Sequence, residues 1–131
     1  MSVDNGKAPV RVGLVQINNS FSGQNYMPYS VGLLQAYAQK YAKDPEQYEF
    51  LLPIYCRASV QEMVDHLAGA DIVGFSAYVW NNNVSLETAR LLKQTNPDIL
   101  IVFGGPQVPD KAEDFLRQYD FIDLACHGEG E

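Results

Sequence analysis

Two stretches decide the fold: Asp71–Ala77, DIVGFSA, and Ile99–Phe103, ILIVF. Both are short apolar runs without polar alternation, the pattern of strands covered by helices on both faces of a parallel sheet. Working outward, Val10–Ile17 (VRVGLVQI) is a β-branched run after Pro9 and reads as a first strand. Tyr48–Ile54 (YEFLLPI) is a shorter candidate whose Pro53 suits a strand end or a sheet edge, because proline has no N–H for the ladder. Phe121–Cys126 (FIDLAC) supplies the fifth strand.

Helical periodicity separates these runs. Ser30–Tyr41 carries Val31, Leu34, Ala38 and Tyr41 on one stripe. Ser59-Val-Gln-Glu62 fits a capping box that starts a second helix through Val60, Met63, Val64 and Leu67, with Gly69 as its stop. Ser85 is positioned to cap a third helix running to about Asn96, with Leu86, Ala89 and Leu92 facing inward. Asp110 with Glu113 caps a fourth that bears Phe115, Leu116 and Tyr119. Parallel strands require crossovers, so this alternation predicts a doubly wound, flavodoxin-like α/β domain with strand order 2-1-3-4-5. The first nine residues form a disordered leader in this reading, and residues 10–131 form the domain. A fifth strand in this fold normally returns through a covering helix, and the chain stops in the turn, as if cut from a longer polypeptide with one sheet face left apolar and open to self-association.

Composition narrows the function. The chain has 131 residues, 47% of them apolar, enough for one core. A formal charge of −7 gives no electrostatic pull toward nucleic acid or anionic membrane. No apolar run approaches the roughly 18 residues of a spanning helix, and no signal-peptide core is present, which together suggest a soluble, cytoplasmic protein. Cys56 and Cys126 match no metal-ligand spacing and are expected to be buried free thiols. His66 is expected on a solvated helix side, and His127 at the carboxyl edge has no catalytic partner at a recognisable spacing.

Ligands of open α/β sheets bind beyond the carboxyl ends of the strands, where strand order reverses. That point is flanked by Asn18–Pro28 and Tyr78–Asn83, and the second loop sets the chain's single tryptophan, Trp80, beside three asparagines. A flat apolar surface fringed by amides suits a flat ligand. The same residues would equally serve if Trp80 covered a helix end and the asparagines made turns. Gly104-Gly105 either lets a ligand approach backbone or makes a tight turn. No GxGxxG follows the first strand, no GxxxxGK[ST] occurs, and the first strand ends in Gln16 and Asn18 where a phosphoacceptor domain needs acidic residues.

Four segments in order carry a family likeness: PYSVGL at Pro28–Leu33, DIVGFSAYVWN at Asp71–Asn81, Gly104-Gly105-Pro106-Gln107 with Pro109, and CHGEGE at Cys126–Glu131. They resemble the N-terminal cobalamin-binding domain of cobalamin-dependent radical SAM enzymes, over about Val10 to Glu131. The resemblance implies that the corrin lies over the carboxyl edge of the sheet and that the nucleotide tail enters the crevice between strands. Ser76, Gly104 and Gly105 would line the tail, with Pro106 and Gln107 in the same turn. Tyr78, Trp80 and Asn81 would approach the lower face of the corrin, and Gly128 and Glu129 would close the tail pocket. The DxHxxG of other cobalamin domains, whose histidine ligates cobalt, is replaced here by QINNSFSGQ. The resemblance therefore implies base-off cobalamin with no histidine ligand. The CxxxCxxC of an iron–sulfur cluster is absent too, so the cluster, S-adenosylmethionine and methyl transfer would belong to a radical SAM domain in cis, and this chain would bind without catalysing. Two other readings share the fold: a flavin or nucleotide carrier, and an interaction domain with an empty pocket.

Overall fold

A computed structural model describes residues 8–19, 24 and 26–128. Its sheet has five strands in the order β2-β1-β3-β4-β5, all parallel: β1 (Val10–Val15), β2 (Tyr48–Phe50), β3 (Ile72–Ser76), β4 (Leu100–Gly104) and β5 (Leu124–Ala125). This is the expected flavodoxin-like topology. The two deciding runs are the central strands, in register from Ile72 beside Leu100 to Ser76 beside Gly104.

The edge strands are shorter than their sequence runs. β2 pairs at Tyr48–Phe50, breaks around Leu52-Pro53, and touches β1 again at Ile54 beside Val15. Pro53 explains the gap, as it has no N–H to donate. At β5 only Leu124 and Ala125 pair. There the Asp123 carboxylate accepts hydrogen bonds from the Ile101 N–H and from Lys93 Nζ, tying this edge to the third helix.

Helix α1 (Tyr29–Tyr41) has no side-chain cap of its own at Pro28. Gln16, at the end of β1, supplies one by accepting a hydrogen bond from the Val31 N–H. Of the expected stripe only Val31 is buried; Tyr41 is exposed and packs on Tyr37. In α2 (Val60–Leu67) the capping box forms as read: Ser59 Oγ accepts from the Glu62 N–H and the Glu62 carboxylate accepts from the Ser59 N–H. Those bonds, the backbone one first, hold the Glu62 carboxyl below the usual glutamate value. Gly69 does not end α2 through a left-handed conformation, since positive φ occurs only at Gly105 and Gly128 among the described glycines. It gives Arg11 room instead, for a Cβ there would lie 2.6 Å from the guanidinium.

Two expected caps are displaced. Helix α3 (Asn82–Thr95) begins three residues before Ser85, so Ser85 is inside the helix and buried, with its hydroxyl unpartnered. The cap position falls to Asn81, whose backbone carbonyl accepts from the Ser85 N–H. Helix α4 (Glu113–Gln118) is capped at Ala112 without a side-chain bond, and Asp110 stands apart from it. Both cysteines are free but exposed, contrary to the expectation of burial, because each sits just past a strand end at the rim of the sheet.

Strand residues partition by parity. Val73, Phe75, Ile101 and Phe103 are essentially fully buried against Met63, Leu67, Ala89 and Leu92 of α2 and α3, with Phe115 of α4 beside Phe103. The opposite face carries Leu14, Ile72, Gly74, Ser76, Val102 and Gly104, which are only half-buried under α1. The core is one-sided. That asymmetry positions the site.

Candidate functional site: an apolar cavity over the half-covered sheet face

A cavity of about 730 Å³ lies between α1 and the β3–β4 strand pair and opens at the carboxyl edge. Its floor is sheet: Ile72, Gly74 and Ser76 of β3 beside Val102 and Gly104 of β4. Leu33 and Leu34 of α1 form the wall. At the mouth stand Tyr29, Ser30, Tyr78, Pro106 and His127. Two glycines keep the floor low. A Cβ on Gly104 would meet nothing closer than 3.8 Å, so the space above it is open, whereas one on Gly74 would press Leu14 at 3.1 Å. The volume lies in the range of small-molecule sites, and the lining is mainly apolar with a polar rim.

The mouth is built by two interlocked loops. After β3, the Ala77 N–H donates to the Gly104 carbonyl, and the Ala77 carbonyl accepts from the Gln107 N–H. Gly105 adopts φ +95°, and a Cβ there would lie 2.7 Å from the Ala77 oxygen. Only glycine allows this approach. The Tyr78 ring stacks on Trp80 at 4.7 Å between centroids, and its hydroxyl lies 3.4 Å from Ser30 Oγ on α1. Trp80 Nε1 donates to the Ile17 carbonyl at the end of β1, and Arg57 donates to the Trp80 carbonyl.

Of the residues singled out in the sequence, the cavity brings together Ser76, Tyr78, Gly104, Gly105, Pro106 and Gly128. Trp80 lies behind Tyr78, outside the lining and partly exposed. Asn81 is 1% exposed and turned into the loop. Gln107 lines a separate groove of about 400 Å³ against α4. Glu129 lies outside the described residues, as do residues 1–7 of the expected leader. The lining also includes residues that the sequence had not singled out as ligand contacts: Leu33, Ile72 and Val102, with Leu34 read as part of a helix stripe, Asp110 as a cap, Cys126 as a buried thiol and His127 as a carboxyl-edge residue. Gly74 was the available signal, since a glycine inside an apolar strand marks a close approach.

Among the described residues there is no cluster of three or more His, Cys, Asp or Glu side chains that could hold a metal ion. His66 is engaged on α2 with the Leu52 carbonyl. Among the described residues no helix is long and apolar enough to cross a membrane.

A family model described as "B12 binding domain" matches residues 14–131. The chain belongs to the B12-binding domain family. It is 38% identical over 106 residues to the "Cobalamin-dependent radical SAM methyltransferase TokK" of Streptomyces tokunonensis, a stretch covering 81% of this chain and 16% of that protein. The "2-(S-pantetheinyl)-carbapenam-3-carboxylate methyltransferase" of Streptantibioticus cattleyicolor matches with the same identity and coverage. The chain thus spans well under two thirds of the length of these relatives. The lining is compatible with a large organic ligand of this kind: an apolar cavity of about 730 Å³, with Gly74 and Gly104 in its floor and hydroxyl-bearing Ser30, Ser76 and Tyr78 among its lining residues.

Proposed function

We propose that this B12-binding domain holds cobalamin base-off, with the nucleotide tail in the cavity over Gly74 and Gly104 and the corrin over the Tyr78–Trp80 pair. The observation that carries this reading is the cavity itself. Its floor extends from Ser76 and Gly104 at the carboxyl edge inward along β3 and β4 to Ile72, beneath Leu33 and Leu34 of α1. Ser76 and Ser30 offer hydroxyls at its sides, and Gly105 and Pro106 bring backbone to its mouth. Asn18 and Gln16, in the segment where a cobalt-ligating histidine would lie, bond instead to the Tyr26 carbonyl and the Val31 N–H. Trp80 offers no lone pair to a metal, and its N–H is already committed to Ile17.

When bound, cobalamin supplies a cobalt centre able to accept and donate a methyl group. This chain's part is to hold the tail, set the plane of the corrin and keep water from its lower side. By likeness to its relatives, a radical SAM domain in cis would supply the iron–sulfur cluster, S-adenosylmethionine and the substrate pocket, making the parent a methyltransferase.

The test is titration of the purified chain with hydroxocobalamin, followed by electron paramagnetic resonance of the cobalt(II) form in wild type and His127→Ala. Saturable binding with no nitrogen coupling to cobalt beyond that of the corrin ring itself is expected in both. A nitrogen signature that disappears in His127→Ala would show that this rim histidine ligates the metal and would overturn the histidine-free reading.

A further inference from the structure

We infer that Asn81 is a positioning residue, which fixes the Tyr78–Trp80 pair relative to the ends of β1 and β3 without touching the ligand. Resting on the reading of that pair as the surface beneath the corrin, this assigns the buried amide a role distinct from contact. Asn81 is 1% exposed, and each polar group of its side chain is used. Its Nδ2 donates to the Ile17 carbonyl at 3.0 Å and to the Ser76 carbonyl at 3.1 Å, while its Oδ1 accepts from the Tyr78 N–H at 2.8 Å. One planar amide therefore joins the ends of two neighbouring strands to the first aromatic residue of the loop.

The residue type follows from the geometry. Two donors and one acceptor on a short planar fork are required, and asparagine supplies them; aspartate lacks the donors, and glutamine has an extra carbon. The neighbouring contacts reinforce the same point of attachment. Trp80 Nε1 donates to the same Ile17 carbonyl at 2.9 Å, and Arg57 holds the Trp80 carbonyl at 2.8 Å. Because Tyr78 is held through its backbone and Trp80 through its indole, the stacked rings are fixed before any ligand arrives. Preorganisation of this kind raises affinity by removing an ordering cost from the binding step.

Trp80 is the chain's single tryptophan, so its fluorescence reports on the loop directly. In Asn81→Leu, which keeps the number and branching of side-chain heavy atoms and removes all three bonds, acrylamide quenching of Trp80 in the ligand-free protein should rise severalfold. Affinity for hydroxocobalamin should fall about tenfold or more, the size expected when buried hydrogen-bonding groups lose their partner. Leu92→Ala, in the fully buried part of α3 about 15 Å along the helix from its start, is the control for general destabilisation; neither quenching nor affinity should change in it. Unchanged quenching or unchanged affinity in a folded Asn81→Leu protein overturns the inference. Should that variant not fold, hydrogen exchange in the wild type decides. A slowly exchanging Tyr78 amide supports the clamp, and one that exchanges as fast as an exposed loop amide overturns it. Failure of the wild type to bind hydroxocobalamin would defeat the cobalamin reading alone, because the quenching and exchange results on ligand-free protein still judge the clamp.

Discussion

The adjacent glycines Gly104 and Gly105 have different reasons to be glycine, and substitution should separate them. At Gly104 the constraint is ligand space. A Cβ has only ordinary contacts with Cys126, at 3.8 and 4.0 Å, and φ is unremarkable. Gly104→Val should therefore change stability by no more than about 1 kcal/mol, since a β-branched residue suits a strand. It should weaken hydroxocobalamin binding by about 1–3 kcal/mol, or about 5- to 150-fold, by filling the slot. At Gly105 the constraint is backbone. Gly105→Ala forces a Cβ against the Ala77 oxygen and nitrogen at 2.7 and 2.8 Å with φ at +95°. A loss of about 1–3 kcal/mol in urea unfolding is the expected result. Comparable losses of stability in both variants would contradict the distinction.

At the scale of the element, α2 and α1 show two ways to begin a helix. α2 carries its own cap, so its start is local and was legible in Ser59 and Glu62. Ser59→Ala should cost about 1 kcal/mol. The cap also responds to acid. Its hydrogen bonds lower the Glu62 pKa in the folded chain, so this stabilisation is complete above the ordinary glutamate value and is lost as pH falls through the lower folded-state value. Thermal melts of wild type and Glu62→Gln should differ at neutral pH and converge in acid. α1, in contrast, borrows Gln16 from the end of β1, which couples the helix roofing the cavity to the strand beside it.

For the whole molecule, the consequence of a one-sided core is that stability and binding reside on opposite faces of the same strands. Ile101 is 0% exposed against the helices, and its neighbour Val102 looks into the cavity. Ile101→Ala should cost about 2–5 kcal/mol, and Val102→Ala clearly less, in chemical denaturation. Filling the cavity should restore what the open face lacks. Hydroxocobalamin at a hundred times its dissociation constant should add about 2.7 kcal/mol and raise the melting temperature by several degrees. No shift at a nominally saturating concentration would show that the folded chain does not bind hydroxocobalamin in preference to the unfolded one.

The strands, the helices between them and the α2 cap were legible because they depend on periodicity and on residues three or four apart, and the alternation of the two then pointed to the doubly wound strand order. DIVGFSA and ILIVF have the length and β-branched content of covered strands, and Ser59 with Glu62 marks a helix start. The end of α3 was legible too, but its beginning was not: Ser85 had the right chemistry for a cap, and Asn81 took the position because its carbonyl meets the Ser85 N–H in the folded loop. Asn81's own side chain was drawn to Ile17, 64 positions away in the chain. The cavity was hidden for the same reason. Leu33, Leu34, Ile72 and Val102 are apolar whether they fill a core or line a slot, and only the packing of α1 across the glycine floor leaves them facing space. Local chemistry thus settled which elements form, while the long-range contacts that tertiary structure alone creates decided which apolar residues are left without a neighbour.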